Sequence, residues 1–435
     1  MPSRANSPQA DDMDPLAGPD DNTQASSSHR GISYVTASIF IIGEIAGTGL
    51  LTLPKALEDT GWIGILVVTL GCALSTFTGI TLSKNWCILV DRYSEYMENN
   101  QHPYPTLGQI TFGKFGRYIV SCCINFTLFG GCVVFLLLGA TLLTDLTAPT
   151  LPLCHSVVVI AGALVPISWL GTPKDFWPLA VVATFSTACC AVCILVLIEQ
   201  DYENSVVSAV EHTPPDFNSF FRGFGTFVYS FGGHSVFLTI QADMKVKQHF
   251  SKSLYLGYAI TLLIYLPVTI FGYLVFGNRL TFNVLEIITE SRLLFATKIT
   301  IFVHITLAFI ILLNPVCQEF EYFLNVPNRF HWKRCLLRLI IMLCIVFMAV
   351  SVPNFGSILS LIGSSTITLL SFLFPSLFYL KLAKQKGPWK QIDIPLHILV
   401  IHLEIIVVGL FAAASATYSS LEQMITSSFV SPCYT

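Results

Sequence analysis

The chain has 435 residues, 53% of them hydrophobic and only 11% charged, with a formal net charge of −3. A soluble domain of this size carries charge on about a quarter of its residues to keep its surface wet, so this composition describes a chain dissolved in lipid. The slight negative charge and the lack of a basic run exclude nucleic acid as a partner.

The first segment, 1–32, is rich in Ser, Pro and Asp and contains Asp11, Asp12, Asp14, Asp20 and Asp21. Its composition predicts a disordered tail, and its lack of an apolar run predicts no cleavable signal peptide. A membrane domain follows over 33–417. A bilayer crossing needs about 20 apolar residues. Such runs fall near 33–57, 62–84, 117–144, 154–172, 176–198, 220–241, 252–276, 294–320, 334–352, 356–380 and 395–417, about eleven spans. The remainder, 418–435, is a short tail. Lys and Arg collect in cytoplasmic loops. With the amino terminus inside, Arg222, Arg279, Arg292 and Lys298 fall outside and Lys55 lies within a span; every other one of the 23 basic residues falls inside. The amino terminus is therefore expected in the cytoplasm and the carboxyl tail on the extracellular or luminal face.

Two spans are interrupted. The first reads Gly43-Glu44-Ile45-Ala46-Gly47-Thr48-Gly49 and continues to Pro54, a poor continuous helix. The sixth carries Phe231-Gly232-Gly233-His234. Either break alone is equally well read as close helix packing through glycine. Their spacing of five spans points further, because a five-span unit is odd and its second copy inserts upside down. Paired broken helices at matching positions of inverted repeats mark a transporter's binding site. Half-helix amino termini offer bare N–H groups to a carboxylate, and half-helix carboxyl ends offer bare carbonyls to an ammonium. A zwitterion fits both, and an α-amino acid is the simplest candidate.

Gly47-Thr48-Gly49-Leu50-Leu51-x-Leu53-Pro54 resembles the first-span motif of the amino acid/auxin permease family, within which the chain is similar to proton-coupled amino acid transporters. Phe227-Val228-Tyr229-Ser230-Phe231-Gly232-Gly233-His234 resembles that family's sixth span. Tyr104-Pro105-Thr106-Leu107-Gly108 with Phe112-Gly113, and Pro353-Asn354-Phe355-Gly356 with Leu361-Ile362-Gly363-Ser364, match further stretches. The resemblance implies an all-α membrane protein with the five-plus-five inverted-repeat fold of the amino acid–polyamine–organocation superfamily, with helices 1 and 6 discontinuous. It implies secondary active transport of amino acids. The Thr48 and Gly49 amides would hold the substrate carboxylate, carbonyls around Tyr229, Ser230 and Phe231 the ammonium, and Glu44, Gly47 and Gly232 would complete the substrate set. Sodium-coupled relatives carry an asparagine where this chain has Gly43-Glu44, so a proton gradient is expected rather than sodium.

Glu44 is the one carboxylate in a broken helix, read as a proton-coupling or substrate residue or as a structural, protonated glutamate. His234 is read as a gate, a proton shuttle or a cap. His304 in span eight faces inward only for one helix rotation. Glu404, beside His402, is expected to make a helix-packing hydrogen bond. Most of the 13 cysteines fall in apolar runs without metal-ligand spacing, so no metal site is expected; Cys154 and Cys433 lie on the outer side, where a disulfide can form. The leading expectation is proton-coupled symport of small neutral amino acids by alternating access, at the plasma membrane or a lysosomal or vesicular one. The alternatives are a vesicular or lysosomal exporter and a nutrient-sensing transceptor. An enzyme is not expected, since hydrolase motifs are lacking. Membrane lipid and the amino acid are the expected partners, with no cofactor and no obligate protein partner.

Overall fold

The computed structural model describes residues 31–93, 95, 102–147, 150–169, 177–204, 210–327, 330–426 and 433; the 1–30 part of the expected amino-terminal tail lies outside them. The described chain is helical throughout, and its one β contact is an isolated bridge between Ile32 and Met244. Span one is α1 (Tyr34–Ile45) and α2 (Gly49–Thr60), bent by 59° at their junction. Then come α3 (Gly64–Arg92), α4 (Pro103–Thr147), α5 (Leu153–Ser168) and α6 (Trp177–Asn204). Span six is again split, into α7 (Phe217–Ser230) and α8 (His234–Ala242). It is followed by α9 (Phe250–Phe276), α10 (Arg292–Phe323) and α11 (Trp332–Ser351). Span ten begins as α12 (Phe355–Ile362), passes through two π-helical segments, Gly363–Ile367 and Leu369–Leu373, and ends as α13 (Phe374–Lys384). The last helix is α14 (Leu396–Thr426), which runs on past residue 417.

Eight described helices are long and apolar enough to cross a bilayer, or nine with the bent pair of span one. The other two expected crossings are the broken α7–α8 pair and α5, whose 16 residues reach about 24 Å at 1.5 Å per residue. Spans six to ten thus repeat spans one to five with the break again in the first member, and α14 stands outside the pair of repeats. Spans three and ten are the centre of the molecule, each with 78% of its most apolar window buried, whereas α14 has 22% and is a peripheral helix. On α14 the packing role expected of Glu404 is taken by His402, whose Nδ1 lies 3.1 Å from Ser376 Oγ, while Glu404 is exposed.

Local sequence sets the helix ends. Asp216 caps α7 by accepting from the Ser219 amide at 2.6 Å, and Ser219 Oγ accepts from the Asp216 amide at 2.9 Å. That backbone hydrogen bond holds the Asp216 carboxyl below the usual carboxylate range. In α4 the amphipathic lead-in turns into the span at Phe112 and Gly113, where φ of +69° at Gly113 needs a residue without a β-carbon. At the other end of the fold Cys154 and Cys433 form a disulfide that ties the carboxyl tail to the start of α5.

Three helices are joined by a buried ionic knot. Glu321 Oε1, on α10, accepts from Arg334 Nε at 3.0 Å and Arg338 Nε at 2.6 Å, both on α11. Arg338 also donates to Asn314 Oδ1 at 3.2 Å and to the Ser168 carbonyl that ends α5. With Glu321 only 1% exposed, removing its charge strands two guanidinium groups in a site closed to water. Glu321→Gln is expected to destabilise the protein by about 3–5 kcal/mol. A thermal-unfolding midpoint unchanged from wild type in detergent would contradict that role.

Candidate functional site

The first break lies at Ala46-Gly47-Thr48, where Ala46 leaves helical geometry with ψ of 77°. Breaking a helix here frees carbonyls that lipid cannot satisfy. Neighbouring hydroxyls take them. Tyr265 Oη donates to the Ile45 carbonyl at 2.8 Å and accepts from the Gly47 amide at 3.2 Å. Thr187 Oγ1 on α6 lies 2.9 Å from the Ala46 carbonyl and 3.1 Å from Ala183 O in its own helix. Across the gap, the Thr48 and Gly49 amides find no backbone carbonyl among the described residues. They are the exposed positive end of α2.

The second break repeats the pattern. The Phe231 carbonyl accepts from Tyr258 Oη at 2.9 Å, and the Tyr229 carbonyl from the Gly232 amide at 3.0 Å. The Ser230 carbonyl accepts no backbone amide among the described residues, so it is the freest of the three assigned to an ammonium. Tyr258 and Tyr265 sit two turns apart on one face of α9, one serving each break.

The two breaks enclose a cavity of about 50 Å³. Gly47, Thr48 and Gly49 line it from span one, Tyr229, Ser230 and Gly232 from span six. Phe231 does not: its ring is buried at 5.9 Å from Tyr265 and 6.4 Å from Tyr258, so it packs the scaffold behind the site. The cavity meets a vestibule of about 870 Å³, which reaches Ile32, Asp243 and Met244 on the side where α1 begins. Glu44, Gly47, Phe135 and Leu312 line both spaces. On the opposite side α2 packs directly on α7, Gly223 lying so close to the Ala56 carbonyl that a β-carbon there would sit 2.7 Å away. Asp59 bridges that seam, 2.9 Å from Lys55 Nζ and 3.9 Å from Arg222. One side is open and the other shut.

Glu44 stands at the junction of cavity and vestibule, with no hydrogen bond or ion pair among the described residues. His234 lines the cavity, its Nε2 3.2 Å from Thr78 Oγ1 on α3. His304 does face inward: it lines the vestibule beside Gly47. Tyr265, Thr187 and Ser371 were not singled out in the sequence. For the tyrosines the spacing Tyr258-x6-Tyr265 in an apolar span was the available signal.

A helical bundle with a half-open path to paired helix breaks is the architecture of the inverted-repeat transporter fold. The chain belongs to the transmembrane amino acid transporter protein family, whose model matches residues 30–421. It is similar to amino acid transporter AVT3C of Arabidopsis thaliana, 27% identical over 89% of this chain and 90% of that one. It is also similar to AVT3B of the same plant, 28% identical over 89% and 92%. In fold it is similar to Mhp1 in an inward-facing conformation, with TM-score 0.59 and 13% identity over 93% of each chain. MhsT in complex with L-phenylalanine gives TM-score 0.54 and 13% identity over 90% of this chain and 99% of that one.

Gly49 is where the two broken spans touch: a β-carbon there would lie 2.8 Å from Ser230 Cβ and 2.8 Å from Tyr265 Oη. Gly49→Ala must push the bare amides out of line with the cavity. Uptake by protein that is folded and correctly inserted is expected to drop at least about tenfold. Wild-type affinity in that variant would remove the cavity from consideration as the substrate site.

Proposed function

We propose that this protein is a proton-coupled symporter of small neutral amino acids, working by alternating access around the cavity between the two breaks. The observation that carries the reading is the asymmetry at the breaks. The Thr48 and Gly49 amides are free to take a carboxylate, Ser230, whose carbonyl accepts no backbone amide, lines the same space for an ammonium, and the cavity between them is only about 50 Å³. A space that admits only a few water-sized groups, at about 10–15 Å³ each, favours a small substrate that extends toward the vestibule.

Two features favour protons over sodium. The Ile45 carbonyl at the first break already receives the Tyr265 hydroxyl hydrogen, and Thr187 Oγ1 lies 2.9 Å from the Ala46 carbonyl, so these oxygens have less to offer a hard cation. Glu44, meanwhile, is an unpartnered carboxyl on the vestibule wall. While the vestibule is open, water solvates the ionised form. Closure strips that water, which costs several kcal/mol for a carboxylate and little for the neutral acid. The loaded, closed state is then reached with Glu44 protonated, and that restriction couples the two fluxes.

The same reading places the amino terminus and the open vestibule on the cytoplasmic side. The loop charges favour it, and so does the Cys154–Cys433 disulfide, which belongs in an oxidising compartment and therefore on the opposite face. Both proposed membranes, the plasma membrane and a lysosomal or vesicular one, have such a face.

Oriented vesicles test coupling and orientation together. Acid on the disulfide face is expected to drive concentrative uptake from that face. Glu44→Gln is expected to keep substrate exchange while losing the response to acid. Acid-driven accumulation that survives Glu44→Gln would move the coupling site elsewhere; accumulation driven only by acid on the other face would invert the orientation.

A further inference from the structure

The cavity has a polar wall that the backbone of an amino acid does not use. Ser371, on the second π-helical segment of span ten, is 1% exposed, lines the cavity, and its Oγ has no hydrogen-bond partner. Its neighbours do otherwise. Ser364, Ser365 and Thr368 each return their hydroxyl to a helix carbonyl, at 3.1, 2.6 and 2.8 Å. His234, also 1% exposed, lines the same cavity with its Nδ1 unpartnered. A buried polar atom left without a partner costs about 1–3 kcal/mol, so two in one small space need a reason.

The protonation of the His234 ring can be worked out from its other nitrogen. Thr78 Oγ1, 3.2 Å from Nε2, directs its own hydrogen to Leu74 O at 2.9 Å or Ser75 O at 3.2 Å. With its hydrogen so directed, the Thr78 oxygen is an acceptor toward the ring, which assigns the proton to Nε2 and leaves Nδ1 with an unshared lone pair. Ser371 supplies the opposite partner, a hydroxyl that can donate. The His234 and Ser235 amides at the start of α8 add further donors, since neither reaches a backbone carbonyl among the described residues.

We infer that His234 Nδ1 and Ser371 Oγ form a side-chain subsite for a hydroxyl, so that the preferred substrates are short hydroxy amino acids. A substrate hydroxyl can donate to Nδ1 while accepting from Ser371, which satisfies both atoms at once. An alkyl side chain of the same size would bury both atoms unpaired. A carboxylate would turn its lone pairs toward that of Nδ1. A carboxamide has the right polarity but carries two more heavy atoms than a hydroxymethyl group into a narrow space between the breaks. This assignment rests on the amino acid reading of the same cavity.

The experiment compares L-serine with L-2-aminobutyrate, in which a methyl group replaces the hydroxyl, using purified full-length protein in proteoliposomes. Wild type is expected to favour serine by at least about tenfold in kcat/KM. Ser371→Ala is expected to reduce that ratio at least about threefold, the preference that remains coming from His234 Nδ1, with size-exclusion profiles confirming folded protein. Equal transport of the two amino acids by wild type overturns the subsite and leaves the amino acid reading standing, as does an undiminished serine preference in Ser371→Ala. Failure to transport any amino acid overturns both.

Discussion

A helix broken inside a bilayer must find partners for the backbone groups it frees, because no water is there to supply them. In this protein hydroxyl side chains from the surrounding helices meet that demand, and the geometry of the site follows. Tyr265 and Tyr258, two turns apart on α9, each donate to the last carbonyls of one half-helix, and Thr187 adds a third hydroxyl from α6. One helix thus fixes both breaks relative to each other. The ring of Phe231, buried against the same two tyrosines, fills the space behind.

That service is one-sided. The carbonyl ends of the half-helices are mostly satisfied by protein, and the amide ends are mostly bare. A site built this way has stronger provision for negative than for positive charge on its substrate, apart from the Ser230 carbonyl and the Glu44 carboxyl beside it. The cavity is therefore electrostatically directional, with its positive end at α2. The close packing of α2 on α7, with Asp59 between Lys55 and Arg222, shuts the site on one side while the vestibule opens the other.

The broken helices, their five-span spacing and the residues around them were legible because glycine and proline interrupt otherwise apolar runs, and nothing else in such runs does so. Glu44, Gly47, Thr48, Gly49, Tyr229, Ser230, Gly232 and His234 all line the cavity. Phe231 was legible as a position and not as an orientation, since a helix end can turn a ring either way. Tyr265 and Thr187 lie in unbroken spans and Ser371 in a π-helical segment that no glycine or proline marks, so sequence gives no sign that these three reach out or stay free. The same limit applied to His304, whose direction depends on the rotation of α10, and to Glu404, whose packing role fell to His402 one face away.

The central claim is that the bare amides at Thr48 and Gly49 hold the substrate by its carboxylate. Equilibrium binding of radiolabelled L-serine to the purified protein, competed by unlabelled L-serine and by L-serinamide, tests it most directly. The amide keeps the ammonium and the side chain and lacks only the negative charge. The account predicts that L-serinamide competes at least about a hundredfold more weakly than L-serine, the loss expected when charge-assisted hydrogen bonds go. Equal competition by the two would contradict it.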